Sequence, residues 1–171
     1  KGELVYQLLK QCIDLNAYRV QVISGSRPDA RFAEFESKVE FCGYSSNIRE
    51  TIQQADLVIG AGRVAMEALL CQKQVFAVGE AKALGYITQA NLPAALASNF
   101  GDVADDGRTE LDIDYSSLAK QLAGLQQQAP VSEQLVAAVK AEYDLDGVCE
   151  QVLKLYQRAY VYTKQKEIPI I

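Results

Sequence analysis

The chain has 171 residues, 49% of them apolar, and a formal net charge of −5. That length and apolar share can build the core of one domain, and the composition excludes a disordered, collagen-like or disulfide-scaffold chain. The acidic balance argues against nucleic acid as a partner, because phosphate backbones need a basic surface, and the absence of histidine removes imidazole acid–base chemistry and imidazole metal ligation.

Residues 3–15 carry Leu4, Leu8, Leu9, Cys12 and Ile13 at helical spacing. Tyr18–Ile23 is rich in β-branched residues and runs into Ser24-Gly25-Ser26-Arg27-Pro28, which reads as a strand and its turn. A short helix is expected over 30–37 and a second strand over Val39–Tyr44. Ser46 or Asn47 then caps a helix over Ile48–Gln54. Asp56–Ile59 reads as a third strand, broken by Gly60-Ala61-Gly62. A helix over Arg63–Leu70 and a fourth strand over Gln74–Val78 follow, closing at Gly79-Glu80. Strand and helix alternate with short links, which predicts a parallel sheet covered on both faces: a three-layer α/β/α, Rossmann-like domain.

Beyond Glu80 the rhythm changes. Residues 81–100 read as a loop with a short helix, and the acidic stretch 102–115 as short extended pieces. Helices are expected over Tyr115–Leu125, Val131–Tyr143 and Gly147–Tyr162, the last capped by Asp144 or Asp146. The domain is thus read as 1–163, with a tail over 164–171. The four cysteines, Cys12, Cys42, Cys71 and Cys149, lie far apart among apolar neighbours. Buried free thiols in a reducing, cytoplasmic setting are expected, and contact with the inner face of a membrane is expected only through a full-length enzyme. No signal peptide or membrane-length apolar run is apparent. Because the sequence opens at Lys1-Gly2 without methionine, a preceding part is expected to be missing.

The most informative segment runs from Asp56 to Glu67. A strand enters Gly60-Ala61-Gly62 and a helix starts at once. Free amides and the helix dipole at such a start favour phosphate, and glycines allow close approach. Arg63 and Glu67 are one helical turn apart and share a face that leans toward the glycine turn. Arg63 suits a diphosphate, and Glu67 suits two ribose hydroxyls. A solvated Arg63–Glu67 surface pair accounts for the same residues. The run GAGRVA also fits the dinucleotide pattern at Gly60, Gly62 and Ala65, with Glu80 at the end of the next strand as the ribose acid. However, two strand–helix units precede the turn, and no further such unit follows Glu80.

Across most of its length the sequence resembles the donor-binding C-terminal domain of GT-B-fold glycosyltransferases of the group-1 kind. Lys1-Gly2 before a helix resembles the "KG" that opens this domain, and VQVISGS (20–26) its second strand and glycine turn. VEFCGYSSNIRETIQQADLVIGAG (39–62) and MEALLCQKQVFAVGE (66–80) resemble the following runs, the latter carrying the glutamate that holds the donor ribose. Ile59 stands where the paired acidic motif of some members has its first glutamate. The resemblance implies a nucleoside-diphosphate sugar as donor, a UDP-sugar foremost. It also implies transfer to an acceptor hydroxyl for polysaccharide or glycolipid synthesis, no metal, and an N-terminal acceptor domain without which this chain is inactive. Lys1 and Arg63 would stabilise the diphosphate. Gly25, Ser26, Tyr44, Gly60, Ala61, Gly62, Arg63, Val64, Glu67 and Glu80 would line the donor site. Half of a sugar-nucleotide epimerase, an NAD-binding domain and a non-catalytic interaction module are the competing readings.

Overall fold

The computed structural model describes residues 2–104, 113–124 and 128–165. Lys1 and the tail from 166 lie outside these residues, as does most of the acidic stretch. The chain opens with α1 (Gly2–Gln11), which buries Leu8 and Leu9. Strand β1 (Val20–Ile23) pairs in parallel with β2 (Val39–Gly43), and a 3₁₀ segment over Ala30–Phe35 links them. Helix α2 (Ile48–Gln54), strand β3 (Leu57–Gly60), helix α3 (Gly62–Leu70) and strand β4 (Gln74–Val78) follow. All of these fall within a residue or two of expectation, apart from the shorter α1. Their signals are local: β-branched runs bounded by glycine, and apolar residues at helical spacing.

Strand β3 pairs in parallel with β4, as alternating strands and helices require. The expected single parallel sheet is corrected in two respects. The segment read as a loop after Glu80 forms β5 (Ala83–Tyr86), antiparallel to β4. The sequence hides it because only four residues are involved and one, Gly85, has a φ of 69°. What fixes this strand is tertiary: the Tyr86 ring meets the Phe76 ring edge-on, with centroids 5.0 Å apart. Secondly, the described strands form two sheets, β1-β2 and β3-β4-β5, instead of one. The architecture is mixed α/β.

Helix α4 (Leu92–Ala97) leads into a 3₁₀ turn over Asn99–Gly101. Then come α5 (Tyr115–Ala123), α6 (Glu133–Glu142) and α7 (Leu145–Gln165). Asp114 caps α5 by accepting from the Ser117 amide, and Ser132 caps α6 by accepting from the Leu135 amide. Asp144 Oδ2 accepts from the Gly147 amide at the start of α7, as its position suggested. Of α3, Ala65, Ala68 and Leu69 are buried completely, packed with Val75 and Ala77 of β4 and with Leu135 and Val139 of α6. Phe76, Val78, Leu8, Cys12, Leu118 and Leu122 make a second cluster, and Leu9, Phe32, Phe35 and Val39 a third. Helix α7 stands apart. It exposes Leu145, Leu153, Leu155, Tyr156 and Val161 by more than half. No described helix is long and apolar enough to cross a membrane.

Candidate functional site

Helix α3 divides its residues by face. Ala65, Ala68 and Leu69 turn inward, which leaves Arg63, Glu67 and Leu70, four and three residues apart, along the side toward α2. Helix α2 answers with Ile48, Arg49 and Ile52. Between them lies an open pocket of about 430 Å³, lined also by Ser46 and Asn47. Ile52, Leu70 and Cys71 give it an apolar wall. Ser46 and Asn47 follow β2 and Arg63 follows β3, so this part of the lining comes from segments after strand ends, the side on which α/β sheets bind ligands, while Leu70 and Cys71 line it from the other end of α3.

Arg63 Nε donates to Glu67 Oε1 over 2.6 Å. The bond and the carboxylate's charge hold the guanidinium pKa above its ordinary value. The two side chains differ in setting: Arg63 is 83% exposed and Glu67 only 25%. Glu67 is therefore the more sheltered of the pair, and Arg63 projects into solvent. A carboxylate accepts several hydrogen bonds at once, so the contact with Arg63 leaves Glu67 able to accept others. The lining carries two guanidiniums, Arg63 and Arg49, against one carboxylate, Glu67. That is a local positive excess in a chain of net charge −5. No protein-family model matches the chain, and no curated protein or solved structure matches it either.

The other expected site residues are dispersed. Gly25 and Ser26 sit on the exposed turn after β1, where the Ser26 amide donates to Ser24 Oγ. Tyr44 is 81% exposed, beside the pocket loop but outside its lining. Val64 is half-buried and packs against the core beneath α3. Glu80 is exposed at the end of β4 and does not line the pocket. Lys1 lies outside the described residues. All four cysteines are free, but the expected burial is corrected: Cys12 is buried, Cys71 half-buried, and Cys42 and Cys149 are exposed. Cys42 falls on the outer part of β2, whose burial is largely confined to Val39, and Cys149 on the projecting α7.

The glycine turn also departs from expectation. Gly60 and Ala61 are half-buried, but Gly62 is buried, with a φ of 58°. A Cβ placed on Gly62 would fall 2.8 Å from Asp102 Oδ2 and 3.3 Å from Asn99 Nδ2. The amino end of α3 is thus met by a carboxylate of the chain itself, a favourable charge for that end of a helix dipole. An incoming phosphate does not find the open amide cradle that the sequence suggested. The covering segment is held by Asn99 and Phe100, both left-handed (φ 48° and 55°), and by the fully buried Phe100 ring. Ala81 and Lys82 amides donate to the Gly101 carbonyl, which ties it to the end of β4. Sequence reasoning missed this cover because its residues lie some forty positions from Gly62. It also missed Arg49, Ser46 and Asn47 as pocket residues, since only the packing of α2 on α3 brings them there.

Proposed function

We propose that this chain is the donor-binding, Rossmann-like half of a GT-B-like glycosyltransferase, holding a nucleoside-diphosphate sugar in the pocket between α2 and α3. The observation that carries the reading is Glu67: a partly buried carboxylate lining the pocket between α2 and α3, hydrogen-bonded to an exposed guanidinium one helical turn away. Glu67 takes the ribose hydroxyls. Ser46, Asn47 and the apolar wall take the base, uracil foremost. Arg63 and Arg49 lie toward the diphosphate, joined by Lys1 in the resemblance.

In this chemistry the bond between the sugar's anomeric carbon and the diphosphate oxygen breaks, and the acceptor oxygen bonds to that carbon. The acceptor gives up its proton to a base on the acceptor half. Negative charge grows on the leaving diphosphate, and fixed cations lower that barrier. With the amino end of α3 covered by Asp102, guanidiniums carry this role in place of the Gly60–Gly62 amides. The apolar surface of α7, including Leu153, Leu155 and Tyr156, supports a further packing partner such as the acceptor half. The dinucleotide reading has less support: Glu80 is outside the pocket, and β5 turns back antiparallel where a further parallel unit is needed.

A thermal-shift panel of UDP, GDP, ADP and NAD tests the reading. At a hundredfold excess over its Kd, a ligand stabilises by about 2.7 kcal/mol, or roughly 5–10 °C for a chain of this size. The expected result is such a shift with UDP that is lost in Glu67→Ala and kept in Glu80→Ala. A shift with NAD alone, lost in Glu80→Ala, would replace the glycosyltransferase reading by the dinucleotide one.

A further inference from the structure

A polar residue ahead of a helix ordinarily turns its side chain onto the first free amides of that helix. Asp29, Asp114, Ser132 and Asp144 all do so. Asn91, ahead of α4, is engaged elsewhere: it donates to the Leu84 and Tyr86 carbonyls and accepts from the Thr88 amide. Asn47, ahead of α2, does neither. Its backbone, at φ −125° and ψ 64°, leaves the extended form of a capping residue, and its side chain makes no cap hydrogen bond. The residue is exposed and lines the pocket between α2 and α3.

The rest of that lining cannot tell one base from another. A nucleobase has two apolar faces and a polar edge that carries donors and acceptors in a fixed order. Ile48, Ile52 and Leu70 supply apolar surface for the faces. Of the polar lining, the Arg49 and Arg63 guanidiniums only donate and the Glu67 carboxylate only accepts. The Ser46 hydroxyl rotates to suit either kind of partner, so it excludes none. Among the lining side chains, Asn47 alone holds a donor and an acceptor side by side in one plane, the arrangement that meets a base edge through two hydrogen bonds.

We propose that the Asn47 side chain reads the edge of the base and sets which nucleotide the pocket selects. This rests on the nucleoside-diphosphate reading of the pocket and gives it a residue that discriminates between bases. Uracil presents its N3–H beside a carbonyl oxygen. Asn47 Oδ1 accepts from N3–H, and Nδ2 donates to the neighbouring carbonyl. The base lies at the start of α2, and the ribose runs toward Glu67 on α3.

Asn47→Asp turns the donor into a second acceptor and changes little else. Aspartate is as well suited as asparagine to the position before a helix, so α2 keeps its start. A carboxylate has no proton to share with the uracil carbonyl. Guanine offers it N1–H and the N2 amino group side by side. Repulsion between the new charge and the diphosphate acts on UDP and GDP alike and cancels in the ratio of their affinities.

Isothermal titration of UDP, GDP and inorganic pyrophosphate into the 171-residue chain, Asn47→Asp and Asn47→Ala tests the assignment. The ratio of UDP to GDP affinity should fall at least about tenfold in Asn47→Asp. Asn47→Ala should weaken UDP about three- to tenfold and leave pyrophosphate unchanged. Because Asn47 caps nothing, Asn47→Ala should also melt where the parent does. An unchanged UDP-to-GDP ratio in Asn47→Asp would overturn the base-reading role and leave the nucleotide reading standing. Equal losses of UDP and pyrophosphate affinity in Asn47→Ala, or a clear drop in its melting temperature, would overturn it too, because the residue would then serve only the start of α2. If the parent binds neither nucleotide, the nucleotide reading itself fails and the role of Asn47 falls with it.

Discussion

Gly62→Ala probes the cover over α3 directly. Gly62 has a φ of 58°, a conformation that costs a residue with a Cβ about 1–2 kcal/mol. The new methyl also lands 2.8 Å from Asp102 Oδ2, too close for an undisturbed contact. The backbone cost alone lowers Tm by roughly 2–8 °C in a chain of this length, and the collision adds to it. Asp102→Ala removes the colliding carboxylate but leaves φ unchanged. Gly62→Ala/Asp102→Ala should therefore be less destabilised than the sum of the single variants, with a coupling of about 0.5–3 kcal/mol typical of touching residues. Urea unfolding measures this as shifts in midpoint at constant slope. A Gly62→Ala chain as stable as its parent, or strict additivity with Asp102→Ala, would refute the placement of Asp102 over the helix.

The cap at Ser132 predicts that Ser132→Ala costs about 1 kcal/mol and Ser132→Asp almost nothing, read by the same urea midpoints; equal losses would contradict the hydrogen bond to the Leu135 amide. Acid should weaken the fold: the Ser117 amide holds the Asp114 pKa below its ordinary value, and the Tyr6 hydroxyl, then Lys10, do the same for Glu34. A depressed folded pKa adds stability that is present above the unfolded value and is lost as pH falls through the folded one, so midpoints should hold from neutrality to about pH 5 and fall below it, and a rise on acidification would contradict this. Thiol labelling should divide the cysteines, with exposed Cys42 and Cys149 reacting first and buried Cys12, whose thiol pKa burial raises, reacting only on unfolding; early labelling of Cys12 would contradict its packing against Phe76, Leu118 and Leu122.

The sequence carries the strand–helix alternation through Val78 because each element there has a local signal. Val20–Ile23 and Leu57–Gly60 are short apolar runs closed by glycine, and α3 alternates Ala65, Ala68 and Leu69 with polar positions at helical spacing. Beyond Glu80 the deciding forces are long-range. β5 is held by the Phe76–Tyr86 contact, and the Asn99–Asp102 cover is shaped by left-handed backbone at Asn99, a type that adopts it, and at Phe100, a type that rarely does. The site divides the same way. Arg63 and Glu67 are legible from their spacing on one helix, but Arg49, Ser46 and Asn47 become neighbours only when α2 packs beside α3. The burial of Gly62 depends on Asp102, which no local pattern links to it.

Isothermal titration of UDP and of 2′,3′-dideoxy-UDP into the parent chain and Glu67→Ala isolates the contact on which the nucleotide reading rests. If the Glu67 carboxylate receives the ribose hydroxyls, the parent binds UDP at least about tenfold tighter than the dideoxy form, worth about 1.4 kcal/mol, and that preference vanishes in Glu67→Ala. An equal preference in both chains, or no binding of UDP to the parent, would contradict the assignment of this pocket to a nucleoside diphosphate.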